Sequence, residues 1–181
     1  SGSVSGNIID GSTGAVAQIN LTYAGNVHIS GNVLSDGAAA GVYMSSCYKG
    51  VVLCGNTIRN HATHGVFITA CDSPFVMGNM ISGYSTAGSS DPGVRSESTD
   101  HCVVQGNVFD GPTDAQAVYI ANGDSGVSGP NRVLSAATGG PFNRNDSTNP
   151  DQGTFTMTAA SATKDVSNTQ FRTGSKIIIT Q

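Results

Sequence analysis

The chain has 181 residues, 24 of them Gly, with 11% charged residues, 6% aromatics, no Trp and a net charge of -4. Charge this sparse, against about 25% in ordinary domains, excludes helical bundles and coiled coils. Eight Lys plus Arg against twelve acids exclude a basic nucleic-acid footprint. No apolar run approaches the ~20 residues of a membrane-spanning helix. Isolated Val and Ile in a Gly-, Ser- and Asn-rich background predict many short strands and many turns.

In chain order, a Gly-Asn-apolar signature first appears at Gly6-Asn7-Ile8. It returns at Gly31-Asn32-Val33, Gly55-Asn56-Thr57, Gly78-Asn79-Met80 and Gly106-Asn107-Val108, with a degenerate copy at Gly129-Pro130-Asn131. The asparagines lie 25, 24, 23, 28 and 24 residues apart. Two residues after each stand Ile9, Leu34, Ile58, Ile81, Phe109 and Val133. Three before stand Ile29, Leu53, Val76, Val104 and Ser128, and five before stand Val27, Val51, Pro74, Cys102 and Gly126. Columns two residues apart on a strand share a face, so these point inward. A further strand in each coil carries Val16, Val42, Val66, Val94 and Val118 inward, then Gln18, Met44, Ile68, Ser96 and Ile120. One coil cannot bury its apolar face alone, but stacked coils about 4.8 Å apart make a continuous core. The asparagine sits at a bend, where its amide can reach backbone and the asparagine of the next coil.

These motifs resemble the right-handed parallel β-helix of the pectate-lyase-like superfamily, and within it the bacteriophage tailspikes. The likeness spans residues 4–135. It implies an all-β fold of about five coils and a homotrimer of parallel chains. It also implies a virion component that acts outside the host cell on a bacterial surface polysaccharide, capsule or lipopolysaccharide. The scaffold does not choose a chemistry, since lyases, hydrolases, epimerases and non-enzymatic adhesins share it.

Between the inward positions of the further strand lie Ala17, Tyr43, Phe67, Arg95 and Tyr119, which alternation turns outward. An aromatic ladder of this kind serves either as a platform for sugar rings or as an interface between solenoids. The next outward column is Ser45, Thr69, Glu97 and Ala121, and Glu97 is the only glutamate. Glycoside hydrolysis needs two carboxylates, so Glu97 is a candidate for one. Arg95 beside it can orient an acidic sugar or pair with Glu97 at the surface. Seven residues before each asparagine stand Gly25, Lys49, Asp72, Asp100 and Asp124. Asp72 and Asp100 would stack one coil apart, as a carboxylate pair or simply as turn-favoured aspartates. The widest coil carries the insertion 84–92, whose Asp91 can complete a pair with Glu97 or Asp100. The four cysteines, Cys47, Cys54, Cys71 and Cys102, contain no CxxC and read as buried thiols. The four histidines form no metal set, and no phosphate loop or cofactor fingerprint is present, so no cofactor is expected.

The repeat starts almost at residue 1 without a cap, which reads as the C-terminal coils of a longer solenoid. It occupies 1–135. Residues 136–153 read as a polar linker, and 154–181 as a small β-module that trimerises or caps. Three functions stay open. The segment carries a depolymerase site, a glycoside hydrolase before a lyase. It binds receptor without cleavage. Or it stabilises a trimer whose active site lies on other coils.

Overall fold

The computed structural model describes residues 1–13, 16–88, 90–112, 115–121, 127–134 and 142–144. The module expected at 154–181 and Asp124 lie outside the described residues. Three parallel sheets of six strands each wind about a common core. The first holds β1 (Gly2–Ser5), β4 (Val27–Ser30), β7 (Val52–Cys54), β10 (Phe75–Met77), β13 (Val103–Gln105) and β16 (Val127–Ser128). The second holds β2 (Ile8–Ser12), β5 (Val33–Gly37), β8 (Thr57–Arg59), β11 (Met80–Ser82), β14 (Val108–Asp110) and β17 (Arg132–Val133). The third holds β3 (Ala17–Thr22), β6 (Ala40–Ser45), β9 (Val66–Thr69), β12 (Val94–Glu97), β15 (Val118–Ile120) and β18 (Phe142–Arg144). Each strand pairs only with the equivalent strands of the coils above and below it. The chain is therefore a parallel β-solenoid of about five turns, and among the described residues there is no helix.

The inward columns close as the repeat requires. Ile29, Leu53, Val76 and Val104 are fully buried, as are Leu34, Ile58, Ile81 and Phe109 and the third-sheet residues Val42, Val66 and Val94. Cys47, Cys71 and Cys102 are buried free thiols, and Cys54 is a half-buried one. Burial pushes the Cys71 thiol up to about 11.

The corner between the first and second sheets is held by the asparagines. The side-chain amide of Asn56 donates to Asn79 Oδ1 at 3.0 Å and to the Ile29 and Cys54 carbonyls at 2.9 and 3.1 Å. Its own Oδ1 accepts from the backbone N–H and the side chain of Asn32, both at 2.9 Å. The amide-to-amide link repeats from Asn7 to Asn131 at 2.9–3.0 Å. The degenerate sixth copy therefore completes the ladder. The glycine before each of the first five asparagines takes the positive φ of the bend, 62° at Gly31 and Gly78, while Pro130 precedes Asn131. Gly65 answers a different need: a Cβ there would lie 2.4 Å from Ile81 Cγ2 and 2.9 Å from the Gly93 carbonyl. The corner must pass that closely for the third sheet to start in register.

Two sequence expectations shift. Val16 and Gln18 do not occupy the inward positions of the first third-sheet strand. Val16 is 59% exposed, and Ile19 and Leu21 stand opposite Val42 and Met44 instead. Twelve positions separate Asn7 from Ile19 where ten separate Asn32 from Val42, so the first coil has a longer corner and the strand begins later. In addition, β18 arises within the stretch read as a linker and pairs with β15, which carries the third sheet past residue 135.

Candidate functional site

The outer face of the third sheet presents one residue per coil, in direct register: Asn20, Tyr43, Phe67, Arg95 and Tyr119. Ala17, expected in this column, is buried, and Asn20 takes its place. The Tyr43 and Phe67 rings lie 5.4 Å apart, tilted by 56°. The Arg95 guanidinium is centred 5.7 Å from the Phe67 ring and 5.7 Å from the Tyr119 ring. Both distances fall within cation–π range. Parallel register produces this stack directly, because equivalent residues on successive strands sit about 4.8 Å apart.

Two carboxylates gather on Arg95, and His64 approaches one of them. Glu97 is two residues along β12 and therefore on the same face. Its Oε1 accepts from Arg95 Nε at 2.7 Å and also from Nη2. Asp91, on the insertion before β12, places Oδ1 4.0 Å from Arg95 Nη1 and 3.6 Å from His64 Nε2. The insertion is fixed on the solenoid. Tyr84 at its base is buried, Ser85 N–H donates to the Thr63 carbonyl, and Ser85 Oγ accepts from Asp91 N–H at 3.0 Å.

His64 stands two residues before Val66, with its ring 5.1 Å from that of Phe67. Its Nδ1 lies 3.1 Å from the Pro92 carbonyl. A carbonyl can only accept, so Nδ1 carries the proton and the neutral ring keeps its lone pair on Nε2. Burial lowers the pKa of His64. The Pro92 hydrogen bond and the charges of Asp91 and Glu97 oppose that shift, and Arg95 adds to it. The ring is thus an acceptor near neutral pH.

The structure therefore brings Tyr43, Phe67, Tyr119, Arg95, Glu97 and Asp91 onto one face, and adds His64. Sequence reasoning set His64 aside because it weighed the histidines only as metal ligands. The signal that finds it is register, since His64 occupies the position of Pro92, two residues ahead of the inward valine.

Asp72 and Asp100 do pair one coil apart, through a parallel bridge, but on the turn between the third and first sheets. Both are exposed, and Asp72 Oδ1 accepts from Ser73 Oγ at 2.7 Å and lies 3.8 Å from His101 Nδ1. Neither makes a hydrogen bond or ion pair with Arg95 or Glu97. Flanking residues on this turn have positive φ, from Ala70 and Ser98 on one side to Ser73 and His101 on the other. Aspartate suits such a bend for conformational reasons alone. Lys49 does not share their column, because the additional Gly50 moves it one position on and Tyr48 takes the place beside Gly25. A separate open groove, with Ser12, Asp36, Asn60 and Thr86 on its walls, lies at the corner between the second and third sheets. It is not part of the ladder.

Comparison with known proteins adds two findings. A family model described as periplasmic copper-binding protein (NosD) matches residues 1–90. Among the described residues no group of three or more His, Cys, Asp or Glu side chains is arranged to hold a metal ion. Among solved structures, the A-module of mannuronan C-5 epimerase AlgE4 from Azotobacter vinelandii is similar, with a TM-score of 0.65 at 15% identity. The similarity covers 78% of this chain and 42% of that one, and at this identity it speaks for the fold alone. The search of curated proteins returned no match.

Proposed function

We propose that the outer face of the third sheet binds a polysaccharide, and that the chain serves as a recognition segment for a bacterial surface glycan. The observation that carries this reading is the ladder itself. Three aromatic rings and a flat guanidinium stand in register at the spacing of the coils, flanked by Glu97, Asp91 and His64. Sugars offer apolar C–H faces to rings and hydroxyls to carboxylates, and a linear glycan laid across the strands meets both. The likeness to a polysaccharide-modifying epimerase supports saccharides as a ligand class for this fold. The motif resemblance to tailspikes supports a homotrimeric virion protein as its setting.

The alternative use of the ladder, as a contact between solenoids, is disfavoured by charge. Covering the face with a second copy would strip water from Arg95, Glu97 and Asp91, and each desolvated ion costs several kcal/mol. Phe67→Ala is expected to weaken glycan binding at least about tenfold, as loss of a stacking ring does, while light scattering shows an unchanged assembly. Unchanged binding together with a smaller assembly would instead assign the ladder to the interface.

A second reading has one observation in its favour: Asp91 and Glu97, from different elements, both face Arg95. Two carboxylates on one face are the minimum for glycoside hydrolysis. Glu97 accepts two hydrogen bonds from Arg95 and so suits the base or nucleophile rather than the acid, which leaves the proton-donor role to Asp91. Incubation with capsule or lipopolysaccharide would then release reducing ends, and Glu97→Gln and Asp91→Asn would each abolish the release. No release would leave a binding protein.

A further inference from the structure

The charge balance of the ladder says which saccharides it accepts. Resting on the polysaccharide reading above, we infer that this face selects uncharged or amino-bearing glycans and discriminates against polyuronates. Arg95 is the only cation on β6, β9, β12 and β15, and β18 adds Arg144 at the register of Ile120 rather than that of Tyr119. An arginine without partners would be the natural seat of a sugar carboxylate, through two parallel N–H donors. Here the side-on fork is taken, because Nε and Nη2 both donate to Glu97 Oε1. At the other end Nη1 stands 4.0 Å from the Asp91 carboxylate, so an acid already faces the end-on donors as well. The guanidinium carbon lies over the Phe67 ring and over the Tyr119 ring, 5.7 Å from each centroid.

What the site offers a ligand is therefore acceptor chemistry. Two carboxylates stand against one guanidinium, and the neutral imidazole of His64 adds no positive charge, so the cluster carries a net negative charge. Among the described residues Glu97 Oε2 makes no hydrogen bond. Sugar hydroxyls and ammonium groups are donors and satisfy such a surface. A chain with a carboxylate on every ring meets net negative charge and finds the Nε/Nη2 fork of Arg95 already taken by Glu97. The aromatic rungs are indifferent to this distinction, so selectivity rests with Arg95, Glu97 and Asp91.

The test is a printed array of bacterial capsule and lipopolysaccharide glycans, sorted into neutral, amino-bearing and uronate-bearing classes and probed with the whole chain at low ionic strength. Hits confined to the first two classes are expected. Hits chiefly among uronates overturn the inference and leave the polysaccharide reading standing. An array with no hits overturns that reading and the inference with it. The Glu97→Gln variant gives a second measurement in solution. It removes one negative charge, leaves Arg95 balanced by Asp91 alone and weakens the hold on the Nε/Nη2 fork, so its affinity for an oligogalacturonate should rise about tenfold relative to the unsubstituted chain. An equal or lower affinity would overturn the charge argument even if the array favoured neutral glycans.

Discussion

Two ladders run the length of this solenoid, and they use the same geometry for opposite ends. At the corner between the first and second sheets every rung is asparagine, from Asn7 to Asn131, and each amide serves the next. On the outer face of the third sheet the rungs are Asn20, Tyr43, Phe67, Arg95 and Tyr119, and almost no residue is repeated. The stacking distance is common to both. A column that must bond to itself has one solution per rung and keeps it. A column facing outward is released from that constraint and can vary rung by rung to fit something that is not the protein. Uniformity marks the element that holds the fold, and variety marks the face available for recognition.

Substitutions can break or sharpen that contrast. The largest loss is expected for Asn56→Ala, which strips the acceptor from both the backbone and the side chain of Asn32 and the donor from the Ile29 and Cys54 carbonyls. With buried groups orphaned at 1–3 kcal/mol apiece, a loss of about 3–5 kcal/mol should appear in the urea midpoint. Next comes His61, which is fully buried and bonded through Nε2 to Gln18 Oε1 at 3.0 Å. Burial brings its pKa down to about 4, against the partial opposition of Asp36. The folded pKa lies below the unfolded value of about 6.5, so the unfolded chain binds more protons between those values. Stability is therefore full above pH ~6.5 and falls as pH drops towards ~4, by at most about 3 kcal/mol from this group. His61→Asn should flatten that part of the stability–pH curve, and an unaltered slope would show that His61 is not its source. Gly65→Ala, which forces a methyl against Ile81 and the Gly93 carbonyl, should cost about 1–3 kcal/mol by the same urea measurement. The smallest effect belongs to the outer ladder, since Glu97→Gln should change stability by less than about 1 kcal/mol, as partly exposed ion pairs do. If it cost as much as Asn56→Ala, the division of labour between the two ladders would fail.

The fold was legible because it is written at short range and repeated. Gly-Asn-apolar triplets mark one corner of every coil, and apolar residues at fixed offsets from the asparagine mark the interior. Where an offset spans a corner of variable length, that reading loses register. Val16 displaced Ile19 because the first coil holds two extra residues before its third-sheet strand, and Lys49 was placed with Asp72 because Gly50 is an insertion. The candidate site was partly legible. Alternation along β12 puts Arg95 and Glu97 on one face without any coordinates. The meeting of Asp91 with His64 was not legible, since it depends on how a nine-residue insertion, 84–92, folds back over the preceding coil. Sequence spacing carries no record of that path. Nor does it tell the stacked aspartates on the exposed turn from a working pair, because turn propensity and catalysis favour the same residue there.

The asparagine ladder also has a direction. In each amide-to-amide bond, from Asn7 through Asn107, the donor belongs to the earlier coil and the acceptor to the next, so these bonds form a head-to-tail wire of aligned dipoles along the solenoid axis. Each member polarises its neighbours, and such chains strengthen cooperatively. Energetically this makes the corner a one-dimensional lattice in which influence passes from rung to rung. Damage at Asn56 should couple strongly to damage at Asn32 or Asn79 and hardly at all to damage at Asn131. The solenoid would then be divisible into interacting neighbours, with a coupling length of about one coil.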